Sequence, residues 1–419
     1  MRITLKNRRA AGRIEAIPSK SFAHRLFICA AFADSPTEIV CRALNEDISA
    51  TMRCLCALGA DIKRESGDVF RVTPTHGVAS GVSELDCGES GSTLRFMLPL
   101  TLAIGADSDF ICHGRLAARP LSPLYEELVR HGAYLSEQGA NPIKSRGKID
   151  GGEYVINGGV SSQFITGLLM SLPLTDGGTL QLTGKVESRP YIDITLSVMK
   201  QFGMNITANE ANDIFTIPHG IYSSPGRIAT EGDWSNAAFF LTAGAFSDEG
   251  VTVYGLNDAS VQGDRAICRI ISDFGAEVTT GDGSVTVKHA GLTAPQSPID
   301  AGDVPDLIPI VSVLACAANG TTVIQNCGRL RLKESDRLTT VHDTIVALGG
   351  DAEIDGDTLL IHGSGRLRGG AVSACGDHRI AMSAAIASLI SDGDVTIDGA
   401  EAVAKSYPLF FEDFSRLYL

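Results

Sequence analysis

The sequence predicts an α/β protein assembled from six copies of one unit, each reading roughly βαβαββ. Two series of helix patterns carry this prediction. In the first, amphipathic segments end in an apolar residue and glycine and run on into a strand pattern: "MRCLCALGADIKRE", "YEELVRHGAYLSE", "LSVMKQFGMNITAN", "ICRIISDFGAEVTT" and "VHDTIVALGGDAEID". Their glycines, Gly59, Gly132, Gly203, Gly275 and Gly349, are separated by 73, 71, 72 and 74 residues. In the second series, six apolar helices each open on a polar cluster, at Ser21, Ser92, Ser162, Ser235, Asp306 and His378, with steps of 71, 70, 73, 71 and 72. Two series that share one period mark an internal repeat.

Each element has a physical reason. Glycine after an amphipathic helix fits a C-terminal cap in the left-handed region. The second series is apolar nearly all round, so those helices are expected to be buried. The sixth copy stops at "FFEDFSRLYL" without its last strand, and the N-terminal "MRITLKN" is a candidate to supply it. That closure gives two domains of three units: residues 1–17 with 231–419, and residues 18–230.

Composition bounds the function. With 419 residues, more than one core is expected. Apolar residues make up 44% and charged residues 20%, the balance of a soluble globular protein. A net charge of −14 argues against nucleic acid or an anionic membrane as partner. The ten cysteines form no CxxC pair and read as reduced, buried thiols. The nine histidines show no HExxH or HxH spacing, so neither a metal site nor a cofactor is expected. "MRITLKNRRAAGRIEA" lacks the apolar stretch of a signal peptide, and "LIPIVSVLACAA" is too short to span a bilayer. A cytoplasmic location is the expectation.

The chemistry gathers at the helix openings. A buried helix presents unsatisfied N–H groups and a positive dipole end, which favour an anion. "IPSKSFAHRL" places Lys20, Ser21 and Arg25 at one opening; a capped helix with solvated cations is the plain alternative. "DCGESGSTLRF" brings glycines, hydroxyls and Arg95 to another, with no Walker lysine following. Gly91 there reads either as a close approach of backbone to ligand or as a tight turn with positive φ. "RLKESDRL" sets Lys333 and Arg337 four apart around Glu334 and Asp336, as an anion site or a salt-bridged surface. "CGDHRIAM" puts His378 and Arg379 before a very apolar helix. Arg119 in "AARP" and Lys405 in "AKSYP" precede prolines, where extended loops are expected. Asp306 in "DVPDLIPI" reads as a helix cap or, among cations, as an ionised proton acceptor. Eight cations at repeat-related openings of an acidic chain point to a cleft for a small, multiply charged anion, bound without obligatory metal.

From "PSKSFAHR" through "GESGSTLR", "SSQFITGLLM", "ESRPYIDIT", "VPD", "LKESDRL" and "DHRIAM" to "AKSYP", the chain closely resembles the 5-enolpyruvylshikimate-3-phosphate synthase family. The resemblance implies an inside-out, barrel-like α/β fold of two domains with three βαβαββ units each. It implies transfer of the enolpyruvyl group of phosphoenolpyruvate to the 5-hydroxyl of shikimate 3-phosphate, with release of phosphate, in aromatic amino-acid biosynthesis. By matched position, Lys20, Ser21, Arg25, Ser161, Ser162, Gln163, Ser188, Asp306 and Lys333 would surround shikimate 3-phosphate, with Arg329 where an asparagine often contacts it. Lys20, Gly91, Arg119, Gln163, Arg337, Arg379 and Lys405 would hold phosphoenolpyruvate. Asp306 would accept the hydroxyl proton, with Lys20 and Glu334 in further proton transfers. A monomer and sensitivity to glyphosate are the family expectations. Glu89 departs from the usual asparagine, and a carboxylate there repels phosphoenolpyruvate unless turned away or paired.

Rival readings are separable. The related enolpyruvyl transferase acting on UDP-N-acetylglucosamine typically carries a cysteine where this chain has Gly114, and Cys112 lies two residues too early. A non-catalytic binder of phosphorylated metabolites would not need Lys20, Asp306 and Glu334 together. An RNA-terminal phosphate cyclase shares a related repeat but would prefer a basic surface.

Overall fold

The computed structural model describes every residue except 76 and 78–80, and the chain divides into two units. One is Met1–Ile17 with Glu231–Leu419; the other is Pro18–Thr230. Among the described residues there are six sheets, three in each unit.

One topology recurs. In Pro18–Thr230, Ser83–Asp86 runs parallel to Ser108–Ile111, which pairs antiparallel with Ile143–Arg146, and Tyr134–Leu135 lies at the edge. The apolar helix Gly91–Ile104 links the parallel pair, and the amphipathic helix Leu124–Arg130 leads to the last two strands. Gly152–Asn157, Gly178–Thr183, Ile214–Ile217 and Thr207–Ala208 repeat the pattern. The third sheet takes its parallel partner from the far end of the unit: Arg227–Ala229 beside Thr37–Val40.

The other unit uses the N-terminus in the same way. Gly12–Glu15 runs parallel to Val251–Tyr254, and Ile299–Asp300 runs parallel to Asn319–Gln325. The last sheet has three strands, with Arg2–Leu5 antiparallel to Val395–Asp398, itself parallel to Gly370–Ser373.

Both helix series appear. Helices Glu46–Ala57, Leu124–Arg130, Arg189–Gln201, Ile267–Asp273 and Arg337–Ala347 are followed two residues later by glycines with φ from 76 to 100°. That left-handed geometry lets the chain reverse into the next strand. The second series comprises Lys20–Ala31, Gly91–Ile104, Ser162–Ser171, Trp234–Ala245, Ile308–Ala317 and His378–Ala387. Every residue of the last three is buried. Burying a side chain such as Phe239 contributes about 1.5–3 kcal/mol, so these helices dominate each unit's core. Their polar first turns are therefore fixed by a rigid interior.

Candidate active site

In Pro18–Thr230, the openings of three buried helices carry the polar groups. Lys20 begins helix Lys20–Ala31, and its ammonium meets Asp47 of the next helix at 2.9 Å. One turn on, Arg25 is buried and donates to Thr195 Oγ1 at 2.8 Å, Thr166 Oγ1 at 3.0 Å, and the carbonyls of Ser21 and Tyr191 at 2.6 and 3.0 Å. Burial pulls its guanidinium down to about 9, so it stays charged at neutral pH. Arg25 thus braces this opening, holding the carbonyl of Ser21 on its own helix.

Ser90 caps helix Gly91–Ile104, its Oγ accepting from Thr93 N–H at 3.2 Å. Arg95 donates to the Gly91 carbonyl at 3.3 Å, to Gln163 Oε1 at 3.2 Å and to the Pro120 carbonyl at 3.1 Å. Gln163 in turn donates to Ser92 Oγ at 3.0 Å. Ser161 caps helix Ser162–Ser171 and Ser162 is buried behind it. Gly91 has no positive φ, so the tight-turn reading does not hold. A β-carbon there would lie 2.5 Å from Arg119 Nη1 and 2.7 Å from Arg95 Nη1, so close approach of two guanidinium groups requires the glycine. Arg119 is in extended backbone, and its Nε is buried with no hydrogen-bond partner. Glu89 is exposed and leans over Gly114, whose φ is +54°; a β-carbon on Gly114 would meet Glu89 Cδ at 2.7 Å. A cysteine at this position would therefore be both strained and crowded. Ser188 is buried in the left-handed region, φ 54°, just before helix Arg189–Gln201.

In the other unit, Asp306 is the meeting point. Its Oδ1 accepts from Arg337 Nη1 at 2.8 Å and Lys333 Nζ at 3.3 Å, and its Oδ2 from Arg379 Nη2 at 3.0 Å. The residue at the cap position of helix Ile308–Ala317 is Leu307, so Asp306 stands one residue before it. Lys333 precedes helix Arg337–Ala347 rather than lying on it. Burial lowers the proton affinity of Lys333, which Asp306 only partly restores. Arg337 also reaches Glu334 Oε2 at 2.7 Å and Asp377 Oδ2 at 3.0 Å. Burial opposes the charge of Arg337, but Asp377, Glu334 and Asp306 outweigh it and hold its proton above the ordinary value. Arg329 lies in the preceding turn, Gly328–Leu332, close enough for its charge to act on Lys333. Lys405 ends a 3₁₀ helix, not an extended loop, and donates to the Gly376 carbonyl at 2.7 Å.

In this unit one carboxylate meets three cations of the kind suited to phosphate and carboxylate. Among the described residues, no group of three or more His, Cys, Asp or Glu could hold a metal ion. The family model described as EPSP synthase (3-phosphoshikimate 1-carboxyvinyltransferase) matches residues 5–414. The chain belongs to the EPSP synthase family. A Clostridium kluyveri protein named 3-phosphoshikimate 1-carboxyvinyltransferase is 36% identical over 417 residues, covering 99% of this chain and 97% of its own. One of the same name from Methanocorpusculum labreanum is 35% identical, covering 100% and 98%. The solved EPSP synthase of Acinetobacter baumannii superposes with a TM-score of 0.82 at 26% identity, covering 100% of this chain and 98% of that one. Family membership makes the chain an enolpyruvyl transferase of the shikimate pathway.

Several residues around these helix openings, in one unit or the other, escaped the sequence reading. Asp377 is fully buried, binds Arg337, accepts from Ser335 Oγ at 3.2 Å and caps helix His378–Ala387 through Arg379 N–H at 2.9 Å. An aspartate directly before an apolar helix was the available signal. Asp47, Thr166 and Thr195 had none, because only the tertiary fold brings them to Lys20 and Arg25. No helix among the described residues is long and apolar enough to cross a membrane.

Proposed function

We propose that this chain joins the 5-hydroxyl of shikimate 3-phosphate to phosphoenolpyruvate by addition and then elimination, with Asp306 as proton acceptor. The hydroxyl oxygen bonds to C2 of phosphoenolpyruvate, its proton goes to Asp306, and C3 gains a proton. The tetrahedral intermediate then loses phosphate from C2 and a proton from C3, restoring the double bond. Lys20 and Glu334 serve the proton transfers at C3.

Lys20, Ser21, Arg25, Ser161, Ser162, Gln163, Ser188, Asp306, Arg329 and Lys333 are assigned to shikimate 3-phosphate. Lys20, Gly91, Arg119, Gln163, Arg337, Arg379 and Lys405 are assigned to phosphoenolpyruvate. The observation that carries the reading is Asp306 itself, with both oxygens accepting from three cations at 2.8–3.3 Å. The buried Nε of Arg119 supports its assignment to an anion. The protein acts as a cytoplasmic monomer without a metal or cofactor. Phosphate release on adding phosphoenolpyruvate with shikimate 3-phosphate, and none with UDP-N-acetylglucosamine, is the expected result; the reverse preference would overturn the reading.

A further inference from the structure

Three helices of Pro18–Thr230 are tied together by buried hydroxyls just behind their openings. Lys20 and His24 lie four apart on helix Lys20–Ala31, and Asp47 and Thr51 lie four apart on helix Glu46–Ala57, so each pair shares a face. The two faces meet in two rungs: Lys20 Nζ donates to Asp47 Oδ2 at 2.9 Å, and His24 Nδ1 lies 2.7 Å from Thr51 Oγ1. Helix Gly91–Ile104 joins them through Thr93. Its Oγ1 is 2.7 Å from Thr51 Oγ1, 2.8 Å from the capping Ser90 Oγ and 3.3 Å from the Asp47 carbonyl. His24, Thr51, Thr93 and Ser90 are each at most 1% exposed. Burial, and then the charges of Lys20 and Arg25, disfavour a proton on His24, so the second rung joins neutral groups. Packing does not account for these hydroxyls, because valine has the shape of threonine and brings no polar group to satisfy. A buried hydrogen-bond network instead rigidifies the groups it joins.

We propose that Thr51 is a positioning residue for phosphoenolpyruvate: its hydroxyl fixes the opening of helix Gly91–Ile104 against the helix that begins with Lys20. This rests on the assignment of Lys20 and Gly91 to phosphoenolpyruvate. Thr51 stands at the centre of the network, touching His24 one turn beyond Lys20 and Thr93 two residues beyond Gly91. Lys20 and Gly91 are the first residues of their helices. A slide of one helix past the other would therefore move the ammonium relative to the first-turn N–H groups. An anion held by both needs that spacing kept, since a misplacement of about 1 Å is already costly. The Lys20–Asp47 pair cannot keep it alone, because the lysine stem is flexible. Threonine is stiff about its first side-chain bond, and two of them in contact hold a fixed separation. Thr51 touches no reacting atom in this account and acts only through His24 and Thr93.

Thr51→Val keeps the shape and removes the hydroxyl; Thr51→Ser keeps the hydroxyl and removes the methyl group. The measurement is the KM for phosphoenolpyruvate at saturating shikimate 3-phosphate, with the Kd for shikimate 3-phosphate by calorimetry. Thr51→Val is expected to raise that KM about 3- to 10-fold and to change the Kd by less than about twofold, while Thr51→Ser stays within about twofold of the unsubstituted protein in both. Thr93→Val breaks the same network from the third helix. It is expected to raise the KM by a similar factor, to add little in the double variant, and to decide the matter if Thr51→Val does not fold. An unmoved KM in folded Thr51→Val overturns the proposal. So does a rise that Thr51→Ser shares, because the lost group would then be the methyl and the role one of packing. No phosphate release by the unsubstituted protein with both substrates would instead sink the underlying assignment, and this proposal with it.

Discussion

Arg337 and Asp377 form an ion pair with no solvent exposure on either side chain, the guanidinium Nε donating to Oδ2 at 3.0 Å and Nη2 to Oδ1 at 3.4 Å. Asp377 also caps the helix that carries Arg379. One carboxylate thus sets two of the cations assigned to phosphoenolpyruvate.

Asp377→Ala should therefore be costly twice over. Removing one member of a buried pair typically destabilises by about 3–5 kcal/mol. Denaturant unfolding checks that figure. The KM for phosphoenolpyruvate should rise as well; an unchanged KM in protein that is still folded would show that Arg337 keeps its place without Asp377.

Gly91→Ala should leave the fold intact, because the atoms it would strike are the ends of the flexible side chains Arg119 and Arg95. Displacing two guanidinium groups should raise the KM for phosphoenolpyruvate about tenfold, the cost of one weakened charge-assisted contact. Glyphosate is longer than phosphoenolpyruvate, so its inhibition constant should rise further. Equal losses in a steady-state inhibition experiment would mean that the methyl group acts only through Arg119.

Much of this was legible in the sequence. The period near seventy-two residues, the helix-ending glycines and the polar openings of the apolar helices all reflect local chemistry repeated along the chain. Asp306 was legible as a carboxylate before an apolar helix, but its three cationic partners were not. Its partners lie 27, 31 and 73 residues away in sequence, and only packing decides that they converge. For Gly91 the turn alternative could not be set aside from sequence for the same reason: the crowding guanidinium of Arg119 comes from another loop.

The stability of Asp264→Asn should depend on pH with a definite sign. The folded protein holds a proton on Asp264 more tightly than the unfolded chain does, since the group lies at about 6 rather than 3.8. Burial is the main cause, so unfolding free energy falls as pH rises from about 4 to 6, and above that range the ionised group costs on the order of 3 kcal/mol. Asn should stabilise the protein at pH 8 and change little near pH 4. Equal stabilisation at both values would show that Asp264 is not destabilised by its charge.

Lys333→Met keeps the stem of the side chain and removes the charge beside Asp306. Losing one charge-assisted contact should weaken shikimate 3-phosphate binding about 10- to 100-fold, with the phosphoenolpyruvate KM less affected. Calorimetry with shikimate 3-phosphate measures this directly. Unchanged affinity would remove Lys333 from that ligand's site.

The central claim is that Asp306 takes the hydroxyl proton. Asp306→Asn keeps the size of the side chain and part of its hydrogen bonding to Lys333, Arg337 and Arg379, but an amide cannot accept that proton. Phosphate release at saturating substrates, paired with calorimetric binding of shikimate 3-phosphate, tests the claim. The account predicts turnover lower by about 100- to 10,000-fold with binding retained. Turnover near the wild-type rate, with shikimate 3-phosphate still bound, would contradict it.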